Sequence, residues 1–353
     1  MVKVKLSNFE LLKVVAMLMI VCHHLITQNA FNIDTQLTGL NASRVFLQLI
    51  GNHAFVGNNL FFMVSAWFLC TRTETFRLKE TVGRIWSLEK VMLFYSIGIP
   101  VVIGLITNAQ CGSFFKIGAL FPLSLGLWWY PTAYAIFLVF YPFYQQSLQA
   151  LGQKEMRNLI IVMVVLWTLP TIVPVKLLLG ANNTTCFFML YAIIFYVRKF
   201  KPAWAFNKKV LIWGVIGGYA IAFASIIMLD FLGIRSSLIN DFACYYIRGN
   251  WRILPIVISV TMFLWIAQIK MRYRRIINWM GGVTFAVYLI HMHPLMIDIL
   301  FKKIFIIEPY IDSLKLVSYI IGVTFLIFFV CAMVDQIRKG LYWAFENFLK
   351  KQE

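Results

Sequence analysis

The run Val14-Val15-Ala16-Met17-Leu18-Met19-Ile20-Val21-Cys22-His23-His24-Leu25-Ile26 is apolar throughout, except for two histidines at its far end. Together with Phe9 to Lys13 it approaches the roughly 20 residues that cross the hydrocarbon layer of a bilayer. An ionisable side chain inside such a run is costly, so it marks a functional site by default. His291 and His293 form a second pair, inside another apolar run near the C-terminus. Four of the five histidines therefore sit in apolar runs. That pattern points to proton chemistry inside a membrane protein rather than to a scaffold.

The rest of the 353-residue chain extends the same reading. It is 61% hydrophobic with a mean hydropathy of +0.79, whereas soluble domains are nearer half apolar. Ten apolar stretches recur, near 9–27, 45–70, 88–107, 114–145, 158–176, 184–198, 210–230, 251–270, 279–301 and 315–337. Phe121-Pro122 and Tyr130-Pro131 interrupt the fourth, and Pro170 and Pro174 the fifth, because proline removes a helix hydrogen bond. The expected fold is all-α: a polytopic membrane helical bundle of about ten transmembrane helices, forming one domain over residues 1–353.

Charge orients the bundle. The net charge is +18, but the basic residues fall in short loops between apolar runs, which excludes a nucleic-acid partner as the simple explanation. With the N-terminus inside and the spans alternating, inner segments hold 22 Lys and Arg and outer segments nine. The bias predicts both termini in the cytoplasm, with membrane lipids as partners and a basic inner face that attracts an anionic substrate. The six cysteines show neither CxxC pairs nor metal spacing, so neither a disulfide nor a metal is expected. The basic leader, Lys3 and Lys5, precedes no small-x-small cleavage site, so the first run reads as a retained span. Asn41-Ala42-Ser43 and Asn183-Thr184-Thr185 fit a glycosylation pattern too short to carry weight.

Individual residues carry more. Lys13 and His24 are eleven positions apart, about 16 Å along a helix and near one face. A cation at one mouth of a span and a base deeper in it form a usable pair. The plainer readings are a snorkelling lysine and a helix-packing histidine. His23 points to another face. In the second run, Asn59 and Ser65 read either as helix glue or as substrate contacts. In the ninth, Tyr288 and His291 are neighbours on one helix face, and His291 reaches a depth similar to that of His24.

In their order and spacing these stretches resemble the three signature stretches of the membrane acyltransferase-3 family. They are Leu11-Leu12-Lys13-Val14-Val15-Ala16 through His24, Gly57-Asn58-Asn59-Leu60-Phe61-Phe62-Met63-Val64-Ser65-Ala66-Trp67-Phe68-Leu69, and Phe285-Ala286-Val287-Tyr288-Leu289-Ile290-His291. Trp128-Trp129-Tyr130-Pro131-Thr132-Ala133-Tyr134 resembles the aromatic segment of that family. The resemblance runs from about residue 8 to about 335. It implies an integral membrane O-acyltransferase with His24 at the catalytic position. Lys13 stands where the family has Arg, which keeps the charge and loses the bidentate fork for phosphate. Asn59 stands where the family has Asp or Asn. The loop 71–90, with Arg84 and Trp86, resembles the basic cytoplasmic loop associated with acyl-CoA.

The resemblance implies acetyl transfer from cytoplasmic acetyl-CoA, a donor substrate, to a hydroxyl of a cell-surface polysaccharide or lipid-linked glycan at a bacterial plasma membrane. The anionic head of the donor would dock on Arg72, Arg77, Lys79, Arg84 and Trp86. His24 would act as general base, and Asn59, Tyr288 or His291 would stabilise the oxyanion. A covalent acyl-histidine is the less favoured variant. The outer segment 230–250, with Asp230, Asp241 and Arg248, is where acceptor contacts are expected. The aromatics Trp128, Trp129, Tyr130, Tyr134, Tyr245, Tyr246 and Trp251 read as an interfacial belt or as a sugar-stacking platform. A transporter or flippase of a lipid-linked sugar is the alternative, though no inverted repeat is visible. Monomer and homodimer both stay open.

Overall fold

The computed structural model describes residues 6–37, 39–71, 78–107, 117–173, 180–240 and 242–350. Lys3, Lys5, Arg72, Arg77, Cys111, Lys116, Lys176, Asp241 and Lys351 lie outside them. Every regular element among the described residues is helical. In chain order they are α1 (Ser7–Thr27), α2 (Ile33–Gln36), α3 (Ala42–Gly51), α4 (Ala54–Leu69), α5 (Leu78–Thr107), α6 (Ile117–Leu120), α7 (Trp129–Ala150), α8 (Gln153–Trp167), α9 (Asn183–Phe200), α10 (Lys208–Gly233), α11 (Ser237–Asn240), α12 (Ile253–Ala267), α13 (Arg275–Gly281), α14 (Thr284–His291), α15 (Pro294–Ile299) and α16 (Leu316–Lys350).

Among the described residues, five helical segments are long and apolar enough to cross a bilayer: Ser7–Thr27, Lys79–Thr107, Gln153–Ile172, Lys208–Gly233 and Leu316–Phe348. A sixth follows if the bent pair Thr284–His291 and Pro294–Tyr310 is one span. The other apolar stretches are helical but do not meet that standard alone. α4 and α12 are 16 and 15 residues long. α7 has the length, but Trp, Tyr, Pro and Gln dilute its aliphatic content.

Two stretches expected as single spans are broken, each for a local reason. Residues 45–70 divide at Asn52-His53, where the Asn52 side chain turns back to donate to the Gln48 carbonyl at 2.6 Å. Residues 279–301 bend by 70° at Met292-His293. Proline at 294 disfavours helical geometry for the residue before it, and His293 is extended there, its ring accepting from the Leu295 N–H.

Helix starts follow capping chemistry. Asn41 accepts from Arg44 N–H, Asn207 from Lys209 and Val210 N–H, and Asn182 forms a reciprocal capping box with Thr185. Asn41 is therefore occupied as a helix cap, and Asn183 accepts from Asn250 at 2.7 Å.

α1 lies at the centre, packed on α3, α4, α12, α13, α14 and α16. α4 in turn packs on α9 and α12, and α7 and α8 pack on α9. Gly57 sets the α1–α4 crossing: a Cβ there would lie 2.8 Å from the Ala16 carbonyl oxygen. Gly281 does the same for α13, where a Cβ would lie 2.8 Å from Cβ and 3.0 Å from Cα of Glu10. Ser7 Oγ, at the start of α1, accepts from both the Arg274 N–H and Asn278 Nδ2, each at 2.8 Å. The start of α1 is thus fixed against the segment that leads into α14.

Candidate functional site

α14 places His291 directly against α1. His24 Nδ1 and His291 Nε2 are 3.0 Å apart, and both residues are buried. The ring roles follow from the second bond of His291. Its Nδ1 lies 2.6 Å from the Val287 carbonyl oxygen, which can only accept. In the neutral pair, His291 therefore carries its proton on Nδ1 and accepts at Nε2. His24 then donates from Nδ1, which leaves a lone pair on its Nε2. That is the tautomer a general base requires.

The surroundings are mostly aromatic. The Tyr288 ring lies 6.4 Å from that of His24 and 6.1 Å from that of His291, with Tyr130 beyond it at 6.2 Å. The buried Tyr288 hydroxyl has no hydrogen-bond partner of normal geometry among the described residues, and the Tyr130 backbone faces it. His23 donates from Nδ1 to the Gly51 carbonyl and packs edge-on to Phe55. Its ring is 5.0 Å from that of His24.

Lys13 stands at the other end of the stripe. It pairs with Glu10 at 2.6 Å and lines a cavity of about 460 Å³ with Phe61, Ser65, Tyr130, Gly282 and Thr284. A narrow neck continues from it, walled by Met17, Ile20, Asn58 and Tyr288 and sharing Phe61, Tyr130 and Phe285 with the wider cavity. Lys13, Met17, Ile20 and His24 recur at steps of four, three and four, the spacing of one helix face. One stripe of α1 therefore carries the cation, two walls of the neck and, one turn further, one member of the histidine pair.

The remaining expected residues divide. Leu88, on the cavity wall, lies one turn beyond Arg84 on α5. Arg84 is 3.6 Å from Glu80, and Trp86 is exposed on the same helix. Lys79 stands at the start of that helix, while Arg72 and Arg77 lie outside the described residues. Asn59 is not beside His24: its amide donates to the Asn250 carbonyl at 2.9 Å, and the Cys186 thiol approaches its oxygen at 3.8 Å. Asn58 lines the neck instead, with Nδ2 on Asn250 Oδ1 at 3.3 Å. Asp230 is buried in an ion pair with Arg44 at 3.1 Å, and Arg248 pairs with Asp34 at 3.0 Å. Tyr245 stacks under the Arg252 guanidinium at 3.5 Å, and Trp128 is buried beside His293.

Three residues of the site escaped the sequence reading. Glu10 was detectable, being a carboxylate within an apolar run. Asn58 was not distinguishable from Asn59 until the α1–α4 crossing fixed which one faces inward. Lys339 had no local signal: it reaches the cavity wall from α16, 3.4 Å from the Gly282 carbonyl, while also pairing with the buried Asp335 at 2.8 Å.

A model of the acyltransferase 3 family, described as an acyltransferase domain, matches residues 6–335. The chain belongs to the acyltransferase 3 family. The match takes in every element from α1 to most of α16, so the stripe, the histidine pair and the bent helix all lie within the acyltransferase domain. No curated protein and no solved structure matches the chain. As a family member with several bilayer-length helices, this acyltransferase is a membrane protein.

Proposed function

We propose that this membrane acyltransferase is an O-acetyltransferase, moving an acetyl group from cytoplasmic acetyl-CoA to a hydroxyl of a cell-surface or lipid-linked polysaccharide in a bacterial plasma membrane. The observation that carries the reading is the His24–His291 pair, whose hydrogen bonding leaves the lone pair of His24 on Nε2, on the same stripe of α1 as Lys13 and its cavity. The inner face is the Lys13 end. There Lys13, Arg84, Lys79 and Lys339 flank the cavity or its approach, Trp86 stands exposed on α5, and Arg72 and Arg77 precede that helix in sequence. The nucleotide head docks on this basic surface, and the thin pantetheine arm enters the neck.

His24 Nε2 removes the proton from the acceptor hydroxyl as its oxygen attacks the thioester carbonyl. The tetrahedral intermediate collapses by breaking the C–S bond. The proton returns from His24 to the thiolate, so the products are an O-acetyl ester and free CoA. Such acid–base work contributes on the order of 10²–10⁴-fold. Tyr288, whose hydroxyl is otherwise unpaired, donates to the oxyanion. Asn59 is committed to the Asn250 carbonyl before α12, and His291 holds the His24 tautomer. Ten spans with both termini cytoplasmic fit this arrangement, in which a donor from inside meets an acceptor from outside.

The test is the ester-bound acetate of surface polysaccharide in a strain lacking the gene, restored with wild type or with His24→Ala. The reading expects acetate from wild type and none from His24→Ala at equal membrane levels. A wild-type protein that neither adds acetate nor consumes acetyl-CoA contradicts it and favours a flippase.

A further inference from the structure

α16 is longer than a bilayer needs. Its 35 residues measure about 52 Å, against roughly 30 Å of hydrocarbon. Even at a tilt of about 40°, the steepest usual for a span, about 26 residues fill that depth. The sequence shows which end is in excess. Residues 316–334 carry no charge, and Asp335, Arg338 and Lys339 follow at once. Arg338 and Lys339 pair with Asp335, and Lys339 meets the Gly282 carbonyl at the Lys13 end of the molecule. The turns after Lys339 therefore leave the hydrocarbon on that side. The helix runs through them unbroken and holds no proline, so they follow the axis of the span and do not bend to lie along the membrane surface.

Those turns are apolar. Leu341, Trp343, Phe345 and Phe348 are each more than half exposed. Lipid chains do not cover residues beyond the hydrocarbon, and a helix apolar on most sides calls for a protein partner there. The exposed positions are also ordered. Val330, Val334, Ile337, Leu341, Ala344 and Phe348 recur at alternating steps of four and three, and all six are exposed. This is the spacing of the seam between two helices wound around each other. Phe345 flanks it. The seam starts at hydrocarbon depth, at Val330, and continues to Phe348.

That continuity identifies the partner. A water-soluble protein would reach only the last turns, whereas another membrane-spanning helix covers the whole seam. Copies of this chain insert the same way up, so two copies bring their seams together parallel and in register, each residue facing its own equivalent. The nearby charges permit the approach, because Arg338 and Lys339 share the Asp335 carboxylate within their own helix.

We propose that α16 is the interface of a homodimer, with a two-fold axis along the membrane normal. Val330, Ile337 and Ala344 form one row of the seam, and Val334, Leu341 and Phe348 the other. The interface stands whether or not the acetyl-transfer reading does.

The test uses the full-length protein in two ways. Oxidative disulfide trapping in isolated membranes compares Ala344→Cys, on the seam, with Glu346→Cys, two positions on and about 200° around the helix, above the background of the native cysteines. Light scattering of particles extracted with their lipid by a maleic-acid copolymer compares wild type with the double variant Leu341→Glu, Phe348→Glu, whose new charges lie outside the hydrocarbon. Ala344→Cys should give at least tenfold more trapped dimer than Glu346→Cys. Wild-type particles should hold two chains, and those of the double variant one chain that keeps its melting transition. Equal trapping at both cysteines overturns the interface, because it reports chance encounter. One chain per wild-type particle overturns it as well, whether that chain is alone or bound to a different protein. Two chains per particle in the double variant place the contact elsewhere and overturn it too.

Discussion

In the proposed mechanism His24 acts as the base because of where His291 puts its proton. The Val287 carbonyl holds that proton on Nδ1, and the 3.0 Å bond then sets the His24 tautomer. Tyr288 makes a complementary prediction. Its buried hydroxyl donates to no acceptor among the described residues, so in the proposed mechanism Tyr288→Phe removes the oxyanion contact and little packing. The expected result is a fall in kcat of about 10²–10³-fold with KM for acetyl-CoA unchanged, read by steady-state acetyl transfer. Equal kcat would remove Tyr288 from the chemistry. At this scale the histidines, Tyr288 and Lys13 were legible, because an ionisable or polar group in an apolar run is conspicuous by cost alone. Asn58 and Asn59 were not separable. Adjacent helix positions point about 100° apart, and only the packing of α4 on α1 and α9 decides which one meets the passage.

Elements carry the precision of the site. α1 presents Lys13, Met17, Ile20 and His24 as one stripe, and close crossings keep α4 and α13 against it. Gly57→Val places a Cβ 2.8 Å from the Ala16 carbonyl oxygen, with two methyl groups beyond it. Overpacking of this kind costs about 1–3 kcal/mol. The expected outcome is a lower melting temperature together with a loss of acetyl transfer, because α1 moves away from α4. A variant with wild-type melting and activity would show that the crossing has slack. The apolar stretches made these helices legible, but their breaks were less so. The second and ninth stretches are apolar on both sides of Asn52-His53 and Met292-His293, so hydropathy averaged over a span draws one helix where backbone chemistry makes two. Pro294 was the available signal for the ninth, since the residue before proline leaves the helical region.

Across the whole molecule, a buried ion pair ties α3 to α10. Arg44 and Asp230 meet at 3.1 Å with almost no exposure, and Arg44 also bonds the Leu37 carbonyl and, at 2.6 Å, Asn240. Removing one partner of a buried pair costs about 3–5 kcal/mol. Asp230→Ala should therefore lower the yield of folded protein from membranes, and Arg44→Ala with Asp230→Ala together should recover part of the loss. An unfolding midpoint unchanged in Asp230→Ala would mean the pair adds nothing. Topology belongs to the same scale. The bias of 22 inner to nine outer cations assigns an outer side to the segment before α16, where Leu314 is fully exposed. Leu314→Cys in intact cells should react with a membrane-impermeant thiol reagent beyond the background of the native cysteines. No added labelling until the cells are opened would invert the bundle.

The central claim is that His24 Nε2 takes the proton of the acceptor. The most direct measurement is kcat for acetyl transfer by purified His24→Gln, in which an amide N–H can still donate to His291 but no base remains. The account predicts a loss of about 10²–10⁴-fold with acetyl-CoA binding unchanged. A wild-type kcat in the folded variant would contradict it.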